Sequence, residues 1–291
     1  IRAVAFNKIY IKKIGTWSKC DLEFSSESEF EEYIRYCALK NNAKINYDIP
    51  INVFSDRKNN LRIEMGIEPV NVKSPSIVIR IHRFDKNVSL ESLFLVDNML
   101  DADSYSLIIN AIKSGKNIIL SGKGGSGKTT LLRAIIKKVP DNVSISINEE
   151  TSELNITGKN VIQREVISNR SENKNISLEK LMKQSLVMSN DIIVVGEIKG
   201  AETSVFIDAI TTGHIGYATV HSDCANNTLD RLVTLFKRDY RAQMYEEKFI
   251  KNILVNSIDY IIYLKNYKVI QIIGKGNIKN EFDILYDNGE K

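Results

Sequence analysis

The chain has 291 residues, 43% of them apolar and 26% charged, with a formal net charge of +4 spread along its length. This is the composition of a globular protein of one large or two ordinary domains, and it excludes a wholly disordered chain. The weak, dispersed positive charge reads as solvated surface rather than a strip for nucleic acid or anionic lipid.

No signal peptide opens the chain, and Ile1 without a preceding Met reads as a trimmed start. Residues 1–85 read as a small α/β domain. Ser28 and Glu31 are spaced as a capping box, and behind them Phe30, Tyr33, Ile34, Cys37 and Ala38 recur on one face of a helix. Cys37 is therefore expected in the core. The runs INVF, LRIEMGI and SIVIRIH alternate as half-buried strands do. Asp85 to Ser89 is polar and reads as a linker, with 86–89 between an N-terminal domain of residues 1–85 and a second domain over 90–291. SLESLF begins a helix just after it.

From residue 90 strands alternate with helices. NIIL (117–120), VSISIN (143–148), IIVV (192–195) and YATVHS (217–222) read as buried strands, and TTLLRAIIKK as a helix ended by Val139-Pro140-Asp141. The alternation predicts an α/β fold with a mainly parallel sheet covered on both faces. YIIYLKNYKVIQII reads as a hairpin turning near Asn266. Apolar runs such as DIIVVG and YIIYL fall short of the ~20 residues of a membrane span. Cys20, Cys37 and Cys224 form no CxxC pair, which argues for a reducing cytoplasm and against a zinc or disulfide framework; His221 and Cys224 alone are too few for zinc.

SGKGGSGKTT contains G-x-x-x-x-G-K-[ST] as Gly122, Gly127, Lys128 and Thr129. The glycines Gly122, Gly124, Gly125 and Gly127 are expected to permit the turns by which backbone N–H groups of the loop, Ser126 and Thr130 included, converge on an anion at a helix N-terminus. Lys128 would reach the β- and γ-phosphates and the Thr129 hydroxyl would sit on magnesium, so ATP and Mg2+ are the expected ligands. INEETSEL sets Glu149, Glu150 and Glu153 just past a strand, where ligand crevices form. DIIVVGEIKG offers Glu197 where an aspartate is usual in a magnesium-side strand. His214 and His221 flank the strand that follows.

These four segments, SGKGGSGKTT, INEETSEL, DIIVVGEIKGAE and TTGHIGYATVHSD, stand in the order of the secretion-system traffic ATPases, which the chain resembles from about Pro69 to Asn256. That family comprises the P-loop motors of type II and type IV secretion and of type IV and Flp/Tad pili. The wording around the phosphate loop and VVGEIKGAE is similar to the Flp/Tad and conjugative type IV branch. The resemblance implies a RecA-like ATPase domain behind a small PAS-like N-terminal domain. It further implies a cytoplasmic homohexamer, peripheral at the inner face of the membrane and docked on an inner-membrane platform protein, with nucleotide at the junction of the domains. Nucleic acid is not expected as a direct ligand.

By the same resemblance Glu197 takes the place of the missing aspartate, acting on magnesium through water, and Glu149 polarises the attacking water. His221 sits near the γ-phosphate, and His214 supports loop geometry or subunit contacts. Arg80, with Arg62 as a weaker counterpart, reaches nucleotide from the N-terminal domain. Arg164 and Arg170 both stand for the arginine after the acidic box. The chain departs from the family at Glu150, where Asp is usual, and at Lys199, where Arg is usual. The alternatives are a RecA-like nucleic-acid motor and a nucleotide-binding assembly module with little turnover.

Overall fold

The computed structural model describes residues 1–13, 16–56, 58–81, 88–169, 174–275 and 281–289. The chain forms two compact units, Ile1–Phe84 with Ile167–Asn175, and Asp85–Val166 with Ile176–Lys291. Residues 86 and 87 of the expected linker lie outside the described residues, while Val88 is buried and Ser89 caps a helix in the second unit.

In the first unit, β1 (Arg2–Ala5), β2 (Lys8–Lys13), β3 (Thr16–Lys19), α1 (Glu27–Lys40), β4 (Ile51–Asp56), β5 (Leu61–Gly66) and β6 (Ser76–Ile81) follow in sequence. They form one antiparallel sheet in the order β3-β2-β1-β6-β5-β4. Phe30, Ile34 and Ala38 of α1 pack with Ala3, Ile63, Met65 and Ile77, and Cys37 lies partly buried against them. The capping residue of α1 is Ser26, not Ser28: its side chain accepts from Glu29 N–H. Glu29 in turn accepts from Ser25 N–H, closing the turn two residues earlier than expected. Strands β1 to β3 escape the alternation test because they are mostly exposed or half-exposed on both faces. A short ladder pairs β10 (Ile167–Asn169) with β11 (Lys174–Ile176).

The second unit runs α2 (Leu90–Leu95), α3 (Ala102–Lys113), β7 (Ile118–Gly122), α4 (Lys128–Lys138), β8 (Ile145–Glu149) and β9 (Val161–Glu165). It continues with α5 (Leu178–Ser185), β12 (Ile192–Ile198), α6 (Glu202–Thr211), β13 (Ile215–Val220), α7 (Ala225–Phe236) and α8 (Glu247–Ser257), then β14 (Tyr260–Lys265), β15 (Lys268–Lys275) and β16 (Phe282–Asp287). Its sheet has the order β16-β15-β14-β7-β13-β12-β8-β9. The span from β14 to β9 is parallel and the β14–β15–β16 edge antiparallel.

Each buried strand feeds two cores by its period-two alternation. Ile192 and Val194 face the core beneath α2, α3 and α4, while Ile193 and Val195 face that of α5 to α8. Parallel strands covered on both faces must read as unbroken apolar runs, and IIVV does. The hairpin turns at Asn266 and Tyr267 with Lys265 opposite Lys268, as the sequence predicts. No helix among the described residues is long and apolar enough to cross a membrane.

Candidate phosphate-binding site

Gly122 ends β7, Glu149 ends β8, Glu197 sits near the end of β12 and His221 follows β13. All four therefore meet at the carboxyl edge of the parallel sheet, where an α/β fold leaves its crevice. The loop between β7 and α4 turns on positive φ angles at Gly122 (149°), Gly125 (77°) and Gly127 (101°). A side chain at Gly122 would lie 2.3 Å from the Leu264 carbonyl oxygen, so this position is closed to any residue with a Cβ.

Gly124 corrects the expectation that all four glycines serve the turn. It is absent from the positive-φ positions, and a Cβ there would meet only His221 Cε1, at an ordinary 3.7 Å. Neither backbone angle nor space requires glycine at this point; what Gly124 leaves open is the approach to His221. Gly127 is the N-cap of α4 and supplies no side-chain cap, which leaves the first-turn N–H groups near Thr129 and Thr130 for a ligand.

Lys128 is buried, and its Nζ donates to the carbonyls of Gly122 at 2.8 Å and Lys123 at 2.9 Å. Burial lowers its pKa, opposed by the charge of Glu197. Lys128 Nζ lies 3.4 Å from His221 Nδ1, and His221 Nε2 lies 2.7 Å from Glu197 Oε1. His221 Nδ1 also lies 3.2 Å from the Gly122 carbonyl oxygen, so the ring stands between the loop and the Glu197 carboxylate. Glu197 also meets Lys199 Nζ at 3.1 Å, and Lys199 donates to Glu150 at 2.7 Å. Burial lowers the Lys199 pKa, but the hydrogen bond to Glu150 and the charge of Glu197 outweigh it and raise the pKa overall.

The ladder between β12 and β13 explains the Gly-Glu sequence. Val195 pairs with Ala218 and Ile198 with Val220, so Gly196 and Glu197 together stand opposite Thr219. Such an extra residue bends the strand and re-aims its side chain, here Glu197, toward the loop. A Cβ at Gly196 would come within 2.8 Å of Glu149 Cγ, so the glycine also makes room for the acidic-box carboxylate.

Glu149 is 2% exposed. Its Oε1 accepts from the N–H groups of Glu153 at 2.9 Å and Leu154 at 3.0 Å, and Oε2 accepts from Gln163 Nε2 at 2.7 Å. Burial nevertheless dominates and pushes its pKa up to about 7. Arg133 of α4 donates to the carbonyls of the same two residues, Leu154 at 2.8 Å and Glu153 at 2.6 Å. The acidic loop is thus gripped by its N–H groups from β8 and by its C=O groups from the helix that begins at Lys128.

Neither Gln163 nor Arg133 stands among the sequence-predicted residues. Gln163 faces Glu149 because β9 pairs in parallel with β8, Ile147 opposite Gln163 and Glu149 opposite Glu165. Reading VIQRE as a strand would have found it. Arg164, next in β9, is turned to the other face and donates to Ser146 at 3.1 Å and the Leu181 carbonyl at 3.1 Å, and also to Ser185. Arg170 lies outside the described residues. His214 caps the end of α6, with Nδ1 3.2 Å from the Ala209 carbonyl oxygen. Arg62 and Arg80 pair across β5 and β6 in the first unit.

The residues present suit a polyphosphate with magnesium. A buried ammonium held by neutral carbonyls would gain charged partners, and the buried Ser126 Oγ has no hydrogen-bond partner. Among the described residues no group of three or more His, Cys, Asp or Glu side chains could hold a metal ion. Magnesium would therefore take its ligands chiefly from phosphate and water, with the Thr129 hydroxyl and Glu197 through water.

The profile of the family described as type II/IV secretion system protein matches residues 41–264. The chain is 31% identical over 175 residues to the type IV secretion system protein VirB11 of Bartonella quintana, covering 58% of this chain and 49% of that protein. It thus spans about half the length of the curated relatives it matches. Two solved structures share its fold. The VirB11 ATPase of the Brucella suis type IV secretion system aligns with a TM-score of 0.51 at 17% identity, over 97% of this chain and 89% of that one. The pilus retraction motor PilT, solved with ADP, aligns with a TM-score of 0.63 at 19% identity, over 94% of this chain and 73% of that one. The fold is that of the RecA-like ATPases with an N-terminal α/β domain.

Proposed function

Since the chain belongs to the type II/IV secretion system protein family, we propose that it binds ATP with magnesium at the Lys128 loop and hydrolyses it to drive secretion or pilus assembly. The observation that carries this reading is the chain of contacts from Lys128 through His221 to Glu197 at the mouth of the loop. Lys128 would exchange two neutral carbonyls for phosphate oxygens. Bound magnesium would neutralise charge on the β- and γ-phosphates. Glu197, steadied by His221 and Lys199, would hold the hydrated ion in place, and His221, in contact with both Lys128 and Glu197, would respond to loss of the terminal phosphate. Glu149, with a pKa pushed up to about 7, is matched to taking a proton from water near neutral pH.

The working form in this reading is a homohexamer, cytoplasmic and docked on an inner-membrane platform protein. Arg170 or Arg164 after the acidic box would complete the charge around the nucleotide. Arg164 is the weaker of that pair, its guanidinium being engaged with Ser146, Ser185 and Leu181. One observation favours a second reading, a nucleotide-binding assembly module with little turnover: both oxygens of the buried Glu149 are already occupied.

The test is ATPase rate against protein concentration, with mass measured at each point, for wild type and Glu197→Gln. A rate per subunit that rises as hexamers form and falls by roughly a hundredfold or more in the variant supports the motor. ATP binding without turnover at every concentration selects the assembly module.

A further inference from the structure

We propose that the hairpin tip Asn266–Tyr267 is the nucleobase platform of this site, with the Tyr267 ring as the face on which a purine stacks. The proposal rests on the reading of the Lys128 loop as a nucleotide cradle and adds what recognises the base.

The tip is bound to the phosphate loop by the sheet itself. β14 is the parallel neighbour of β7, with Leu264 opposite Gly122, so the strand that leads to the tip runs beside the strand that leads to the loop. The Leu264 carbonyl crowds Gly122 at one end of the loop. At the other end, Tyr267 Cδ1 would lie 3.2 Å and its Cα 3.6 Å from a Cβ on Gly127. Both ends of the loop are therefore flanked by the same hairpin. A cavity of about 310 Å³ opens beside the loop, lined by Lys123, Ser126, Asp223, Tyr263 and Asn266 among others, with Tyr267 next to it in the chain and outside its lining. A nucleotide whose phosphates were held by residues 122–128 would have this tip beside the end of the loop at Gly127.

The tip also has the wrong residue for a mere turn. Asn266 and Tyr267 have φ angles of 51° and 62°, and two-residue turns of this hand favour glycine at the second position. A bulky side chain there is a conformational outlier. Nothing in the packing repays it, since Tyr267 is 58% exposed and belongs to neither core of its unit. Among the other exposed aromatics of the unit, Tyr245 and Phe249 pair with each other, and Tyr240 lies in the 3-10 turn after α7, away from the phosphate loop in sequence. A strained residue that packs against a ligand loop but not into a core is explained by what the ligand gains from it. An aromatic face gives stacking, strongest for a purine, and the Asn266 amide offers a donor and an acceptor to a base edge.

The experiment compares wild type, Tyr267→Phe and Tyr267→Gly by calorimetric binding of Mg-ATP, Mg-CTP and inorganic tripolyphosphate, with thermal unfolding of each. Stacking predicts that Tyr267→Gly weakens ATP binding by roughly ten- to a hundredfold, while tripolyphosphate binding is unchanged and Tyr267→Phe keeps wild-type affinity. It also predicts that wild type prefers ATP to CTP and that the glycine variant loses this preference. Because glycine relieves the positive φ, the variant should unfold at the same or a higher temperature, which separates lost stacking from lost structure. Equal weakening of ATP and tripolyphosphate would make Tyr267 a support of the loop and overturn the proposal, as would unchanged ATP affinity. A wild-type chain that binds tripolyphosphate and ATP equally overturns the platform alone. One that binds neither overturns the nucleotide reading and the platform with it.

Discussion

Glu149 shows how burial can set a side chain's chemistry against the hydrogen bonds it receives. Two backbone N–H groups and Gln163 favour its charged form, yet desolvation wins and its pKa rises from 4.5 to about 7. The raised value has a sign for stability. Between those two pH values the folded chain holds a proton that the unfolded chain has lost, so this group's contribution falls as pH rises from about 4.5 to about 7. The difference is roughly 3 kcal/mol. Urea unfolding of wild type at pH 5 and pH 8 should show most of that loss, and Glu149→Gln, which does not titrate, should lack it while losing turnover. An equal pH dependence in both proteins would show that Glu149 ionises freely. At the same scale, the two departures from the family pattern prove to be partners, because Lys199 donates to Glu150 at 2.7 Å. Sequence reading reaches each residue singly and has no means of pairing positions 49 apart.

At the scale of elements, the alternation of apolar strands and helices after residue 90 was legible because parallel strands buried on both faces carry unbroken apolar runs. The first three strands were not, since strands mostly exposed or half-exposed on both faces show no clear alternation. Helix α1 was legible by its buried face, but its start was misplaced because Ser26-x-x-Glu29 and Ser28-x-x-Glu31 satisfy the same rule. Strand registration in the second unit depends on one short polar residue that the sequence does not flag. Asn117 Oδ1 accepts from Gly216 N–H at 2.8 Å and Nδ2 donates to the Ser257 carbonyl at 2.8 Å, while its own N–H donates to Asp259 at 2.9 Å. It thereby aligns the starts of β7, β13 and β14, and through them the far ends where Gly122, His221 and Leu264 meet. Asn117→Ala should lower stability by about 2 kcal/mol by stranding the Gly216 N–H and the Ser257 carbonyl, while the backbone bond to Asp259 remains. Denaturant unfolding checks this, and tripolyphosphate affinity should change little.

For the whole molecule, ligand binding and stability are linked, because a ligand that binds only the folded state stabilises it. At a hundredfold excess over its dissociation constant, Mg-ATP should raise the melting temperature of the second unit by roughly 5–10 °C. Lys128→Ala should abolish that shift while the protein without ligand melts within a few degrees of wild type. A shift that survives the substitution would place the nucleotide elsewhere.

By itself the sequence determined the class of the fold and the chemistry of the loop. Glycines, a lysine and a threonine at fixed spacing are a local backbone requirement, and buried strands announce themselves by composition. It did not tell the glycines apart: Gly122, Gly125 and Gly127 carry the turn, and Gly124 does not. It also named Glu149, Glu197 and His221 as neighbours of that loop, through the order of four segments. Only the tertiary structure decided what these groups do to one another. Gln163 reaches Glu149 through strand pairing, Arg133 grips the acidic loop from the helix behind it, and Lys199 finds Glu150 across the crevice. Such contacts join residues far apart in the chain, and they exist only once a sheet has set its register. The placing of Tyr267 beside Gly127 is of the same kind: an aromatic at a turn is unremarkable in sequence, and becomes a candidate base platform because β14 lies next to β7.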